Sequence, residues 1–90
     1  MTRWGILGTG MIAKAFANAL KEADGSELVA VASKNEQRAK DFCESYNSNF
    51  FGDYKSLIHQ DNIDAVYIAT PHPEHFDLSL SCLNNNKAVL

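Results

Sequence analysis

A doubly wound parallel α/β sheet is the fold predicted for this chain of 90 residues, and three observations predict it. Short apolar runs alternate with longer segments of helical periodicity. The connections between them are brief, as in successive βαβ units. A glycine pair, Gly8 and Gly10, sits where the first apolar run gives way to the first helical segment.

Each element follows from local pattern. Arg3 to Leu7 reads as the first strand and Met11 to Glu22 as the first helix, with Met11, Ile12, Ala15, Phe16, Ala19 and Leu20 on one expected face. Ala23-Asp24-Gly25-Ser26 is a turn. Leu28 to Ala32 is continuously apolar, as expected of a parallel strand covered on both faces. Glu36 to Tyr46 is the second helix, with Ala39, Phe42, Cys43 and Tyr46 on one stripe. Asn47-Ser48-Asn49 breaks it before a short third strand at Phe50-Phe51.

Asp53 suits the N-cap of a brief helix through Tyr54, Leu57 and Ile58. Asp61-Asn62 interrupts before the fourth strand, Ala65 to Ala69. Thr70-Pro71-His72-Pro73 reads as a stiff loop, with Pro73 as first residue of a helix whose Phe76, Leu80 and Leu83 share a face. Asn84-Asn85-Asn86 ends that helix, because asparagine tolerates left-handed backbone. Ala88 to Leu90 begins a fifth strand. The expected strand order is 3-2-1-4-5, with a sixth strand beyond the last residue.

With 46% hydrophobic and 21% charged residues, the composition is that of one small globular domain. A chain this short buries only about 60–65% of its unfolded surface. A net charge of -3 disfavours nucleic acid or an anionic membrane as partner, and basic residues cluster only at Lys34, Arg38 and Lys40. No apolar run is long enough to span a bilayer. Arg3 and the small residues around Phe16 have some features of a secretion signal, but Lys14 and two glycines interrupt the apolar stretch. Cys43 and Cys82 form no C-x-x-C pair, so buried, reduced thiols in a cytoplasmic protein are expected.

The glycine pair carries the chemistry. Strand, Gly8-Thr9-Gly10-Met11-Ile12-Ala13 and helix, in that order, are the context of a dinucleotide-binding G-x-G-x-x-A. Gly8 suits the tight turn, Gly10 lets a pyrophosphate approach the main chain, and Ala13 lets the helix pack closely on the strand. The helix N-terminus then offers unpaired N–H groups to the phosphates. S-adenosylmethionine fits this glycine spacing less well than a dinucleotide.

After the second strand, NAD-selective folds place an Asp or Glu that accepts from the ribose hydroxyls. Here Ser33 and Lys34 stand there, with Arg38 a helical turn on, a set suited to a 2′-phosphate and thus to NADP, with NAD as the alternative. Thr70, Pro71 and His72 follow the fourth strand at the ligand end of the sheet, and His75 lies three residues beyond His72. Two histidines without a third ligand do not make a zinc site. His59 is the natural partner for the negative end of the short helix. No nucleophile elbow and no G-K-[ST] phosphate loop are present.

Taken together, Arg3 to Ala13, Val31-Ala32-Ser33 with Arg38-Ala39, Tyr54 with Leu57-Ile58, and Ile63 to Pro71 with His75 resemble the glucose–fructose oxidoreductase / inositol dehydrogenase / rhizopine-catabolism (Gfo/Idh/MocA) family. The resemblance covers essentially the whole chain and is strongest to the NADP-linked branch of trans-dihydrodiol and sugar dehydrogenases. It implies that Gly8, Thr9, Gly10, Met11 and Ile12 hold the pyrophosphate, and Ser33, Lys34 and Arg38 the 2′-phosphate. Thr70, Pro71, His72 and His75 would border the ribose and nicotinamide. Members commonly carry asparagine at the position of His72.

The resemblance further implies an incomplete dinucleotide-binding domain over residues 1–90, without the Glu-Lys-Pro motif or the C-terminal substrate domain. The expected whole is a homo-oligomeric oxidoreductase transferring a hydride between NADP(H) and a hydroxyl or carbonyl carbon of a sugar, polyol or cyclic diol. A non-catalytic NAD(P)-binding sensor of the same fold is the alternative.

Overall fold

Five apolar runs become five parallel strands because turn-forming residues separate them and each of the first four is followed by a segment able to cross back over the sheet. The computed structural model describes residues 1–51, 53–70 and 72–90, and side chains throughout these except at 36, 50, 51 and 72–76. The order is β1 (Thr2–Leu7), α1 (Met11–Glu22), β2 (Ser26–Ala32), α2 (Glu36–Tyr46), β3 (Asn49–Phe51), α3 (Tyr54–Ile58), β4 (Ala65–Ile68), α4 (His72–Asn84) and β5 (Ala88–Val89). The sheet runs β3-β2-β1-β4-β5, the expected order. The chain winds outward from β1 in one direction through β2 and β3, then in the other through β4 and β5. The reversal lies between β1 and β4, paired in register from Trp4↔Ala65 to Leu7↔Ile68.

Successive strand residues point to opposite faces, and here both faces are covered. Ile6 and Val31 pack with Ala13, Ala17, Phe42 and Cys43 beneath α1 and α2. Leu7, Ala30, Ala32, Val66 and Ile68 pack with Leu57, Ile58 and Cys82 beneath α3 and α4. Burial on both sides explains why β2 reads as an unbroken apolar run rather than an alternation.

Two helix faces differ from the sequence expectation. In α1 the buried residues are Ala13, Ala17 and Leu20, while Met11 and Ile12 are 88% and 65% exposed. Ala13 and Ala17 let the helix axis come close to the sheet, while the expected Leu20 is buried and the expected Phe16 stacks on Tyr67 of β4 and sits edge-on to Trp4 of β1. In α4, Leu80 and Leu83 are exposed, whereas Cys82 is fully buried and Leu78 packs against the same cluster. That helix also begins at His72 rather than Pro73.

Asp53 caps α3 as expected, accepting from the Ser56 N–H at 2.8 Å, and Asn47, in the run expected to break α2, takes left-handed backbone (φ 52°) at its end. Asn86, in the asparagine run after α4, does the same (φ 62°). Helix α1 ends at Ala23, ahead of the glycine expected to end it, Gly25. At the end of α3 the His59 Nδ1 donates to the Lys55 carbonyl at 2.7 Å. Cys43 and Cys82 are free and buried, and burial pushes the Cys82 thiol up to about 11, so it stays protonated and unreactive.

Lys87 is buried and donates through Nζ to the carbonyls of Gln60 (2.6 Å) and Ile63 (3.0 Å), tying the start of β5 to the loop before β4. Arg3, near the start of β1, fastens to the same loop. Its Nε and Nη2 donate to the Asp64 carboxylate at 3.0 and 2.9 Å, and its N–H adds a third bond at 2.9 Å. These donors hold the Asp64 carboxyl at about 2, below its ordinary 3.8. Because the folded value is the lower one, the contribution is complete above about pH 4 and fades as the pH falls through about 2. Urea midpoints measured from pH 5 to pH 2 are expected to fall less steeply in Asp64→Asn than in the parent. Equal slopes would remove this pair from the acid response.

Candidate functional site

The loop after β1 is fixed from both neighbouring strands. The Gly8 N–H donates to the Ala32 carbonyl of β2 at 2.8 Å, and the Ala69 N–H donates to the Leu7 carbonyl at 2.8 Å. Gly8 adopts φ +103°, and a Cβ built on it would lie 2.8 Å from the Ala69 carbonyl oxygen. The fold itself therefore requires glycine at position 8.

Gly10 is different. Its backbone is extended, at φ -74° and ψ -170°, which any residue adopts. A Cβ there would meet nothing within 4 Å. Neither strain nor packing explains why this position lacks a side chain, and the space above it is open.

Gly10 is also the N-cap of α1, and among the described residues no side chain caps that helix. No acidic residue lies in its first turn. By contrast, α2 is capped by Asn35, which accepts from the Arg38 N–H at 3.0 Å, and α3 by Asp53. The first N–H groups of α1 thus lack intrahelical acceptors and carry the positive end of the helix dipole into the open space. An anionic group resting on the bare Gly10 backbone fits this arrangement, and a pyrophosphate supplies one.

From this point a groove of about 550 Å³ runs between α1 and α2. Thr9, Gly10, Met11 and Lys14 line one wall, and Arg38, Asp41, Phe42, Ser45 and Tyr46 the other. A hydrogen bond from the Tyr46 hydroxyl to Asn18 Oδ1, at 2.9 Å, links the two helices one turn beyond Lys14. The expected residues Thr9, Gly10, Met11 and Arg38 therefore come together, joined by Lys14, which lies outside the set expected from the sequence.

Other expected residues are placed differently. Ser33 is 6% exposed, and its hydroxyl accepts from the Asn35 N–H at 3.1 Å, shaping the turn into α2. Lys34 is exposed, with its Nζ 5.8 Å from the centre of the Tyr54 ring on α3, and it does not line the groove. Ile12 is exposed beside Met11 at the start of α1. Thr70 follows the carboxyl end of β4, and its Oγ1 is buried without a hydrogen-bond partner among the described residues. A buried hydroxyl left in that state is costly unless a ligand or water completes it.

Pro71 lies outside the described residues. His72 and His75 belong to the first turn of α4, and their side chains lie outside those described. Among the described residues no three His, Cys, Asp or Glu side chains converge as metal ligands, and no helix is long and apolar enough to cross a membrane.

The model of an oxidoreductase family with an NAD-binding Rossmann fold matches residues 2–90. The chain is 41% identical over 91 residues to the mouse trans-1,2-dihydrobenzene-1,2-diol dehydrogenase, covering 98% of this chain and 27% of that enzyme. It is 37% identical over 101 residues to the NADP(+) D-xylose 1-dehydrogenase of Hypocrea jecorina, covering 98% and 26%. Among solved structures, a 3-ketoreductase from Actinomadura kijaniata, in complex with NADP and TDP-benzene, superposes with a TM-score of 0.94 at 32% identity. That match covers 99% of this chain and 28% of the reductase. The chain thus spans about a quarter of the length of these relatives.

Proposed function

The chain belongs to the Gfo/Idh/MocA oxidoreductase family, and from that premise we propose that it is the cofactor-binding part of an NADP-linked oxidoreductase. The reaction is hydride transfer to or from a hydroxyl- or carbonyl-bearing carbon of a sugar, polyol or cyclic diol. The observation that carries the reading is the Gly10 position. It is bare although nothing in the fold demands it, and it opens onto an uncapped helix N-terminus.

A nicotinamide dinucleotide, when bound, supplies the hydride acceptor or donor. The residues of the chain bind and orient. The first amides of α1 receive the pyrophosphate, with Gly8 fixing the turn, and Thr9, Met11 and Ile12 border it. Arg38, at the start of α2, meets the 2′-phosphate, with Lys34 at the rim and Ser33 holding the loop that presents both. Thr70 completes its buried hydroxyl on the ribose side, and Pro71, His72 and His75 flank the nicotinamide end. The diol dehydrogenase, xylose dehydrogenase and 3-ketoreductase relatives support the substrate class.

The cofactor preference is tested by titrating the chain with NADP and NAD at low salt. NADP is expected to bind about tenfold more tightly, the worth of one charge-assisted contact. Arg38→Ala should remove most of that difference by weakening NADP about tenfold and NAD less than about twofold. Equal affinities in the parent, or equal losses in the variant, would contradict the NADP assignment.

A further inference from the structure

The groove between α1 and α2 holds two cations whose charge the fold does not use. Lys14 stands on the α1 wall and Arg38 on the α2 wall of the same cavity. Among the described residues, Lys14 Nζ and the Arg38 guanidinium have no ion-pair or hydrogen-bond partner, in contrast to Arg3, which is paired with Asp64. The Lys14 wall adds the unpaired amides at the start of α1. Among the described residues the one carboxylate lining the groove, Asp41, is held by the Gln37 side-chain amide at 3.0 Å rather than by either cation.

We propose that Lys14 is a specificity-determining residue that grips the cofactor's 2′-phosphate from the α1 side, opposite Arg38. This inference rests on the NADP reading above and adds to it a residue from a different element. A phosphomonoester carries close to two negative charges near neutral pH, and one guanidinium neutralises only part of that. An ammonium on a flexible stem, across a groove wide enough for a nucleotide, matches the remainder without demanding a fixed angle. Lys34, set against the Tyr54 ring, sits outside this pair of walls. Asp41 then acts as a brake, keeping the groove from holding anions indiscriminately.

The test uses the complete chain and two probes that differ only in the phosphate at issue, 2′,5′-ADP and 5′-AMP, followed by calorimetry at low salt. The parent is expected to bind 2′,5′-ADP more tightly. Lys14→Gln should weaken 2′,5′-ADP about tenfold and 5′-AMP less than about twofold, with Lys14→Arg restoring most of the loss. Asp41→Asn should act in the opposite direction, tightening 2′,5′-ADP by about threefold as a nearby like charge is removed. Retained preference in Lys14→Gln, or equal losses for the two probes, would overturn the role of Lys14 while leaving the NADP reading intact. So would a preference erased by Lys34→Gln and kept in Lys14→Gln. Absence of any preference in the parent would overturn both. Lys14 and Asp41 are exposed, and unchanged thermal midpoints will show that the variants fold.

Discussion

Gly8→Ala is expected to cost this protein about 3 kcal/mol or more of folding stability. The left-handed backbone at φ +103° contributes about 1–3 kcal/mol of strain for a residue with a side chain. The added methyl then lies 2.8 Å from the Ala69 carbonyl oxygen, a backbone atom that does not swing aside. Ala69 is itself anchored, because its N–H donates to the Leu7 carbonyl at 2.8 Å. Relief would require β1 and β4 to separate at the centre of the sheet. For a domain of this length, total stability is on the order of 5–13 kcal/mol, so the loss is a large fraction of the whole. Urea denaturation measures it, and a variant within about 0.5 kcal/mol of the parent would show that the turn relaxes in a way the strand pairing does not suggest.

Gly10→Asp, two residues away, is expected to behave in the opposite sense. Aspartate is among the best N-cap residues, and α1 has neither a capping side chain nor an acid in its first turn. Stability should rise by about 0.5 kcal/mol through the cap and the helix dipole. Cofactor binding should fall by about 100-fold or more, since a carboxylate would occupy the open space and repel the phosphates placed there. NADP and NAD should suffer alike, because the pyrophosphate is common to both. A stable variant that still binds either dinucleotide would show that the groove receives its ligand elsewhere. The pair of substitutions separates a glycine that serves the fold from one that serves a ligand.

The strands and their order were legible because a doubly covered parallel strand leaves an unmistakable apolar run, as Leu28 to Ala32 does. The caps were legible because Asp53 and Asn47 act on their own neighbours, within a few residues. The packing face of α1 was legible only in part. Phe16 and Leu20 pack as their periodicity suggests and Ala13 as the glycine-loop motif requires, but Met11 and Ile12 stay exposed, and Ala17 joins the contact by smallness rather than hydrophobicity. The face of α4 was hidden for a related reason. Leu80 and Leu83 outweigh Leu78 and Cys82 in any measure of apolar periodicity, yet they remain exposed.

The site divided along the same line. Gly8, Thr9, Gly10 and Met11 are contiguous, and their spacing states their geometry. Arg38 was within reach of the sequence because it follows the strand that ends at Ala32. Lys14 was not, since its relevance depends on the groove between α1 and α2, which no single segment encodes. A lysine one turn into the glycine-loop helix, on the side that faces α2, is the signal that would have found it.

Anion binding by the first amides of α1 is what the cofactor assignment depends on, and a crystal structure of this chain grown with NADP tests it most directly. Pyrophosphate oxygens are expected within hydrogen-bond distance of the Met11 and Ile12 N–H groups, over the open side of Gly10. A dinucleotide bound away from that turn, or a loop refolded so that these N–H groups face the sheet, would contradict it.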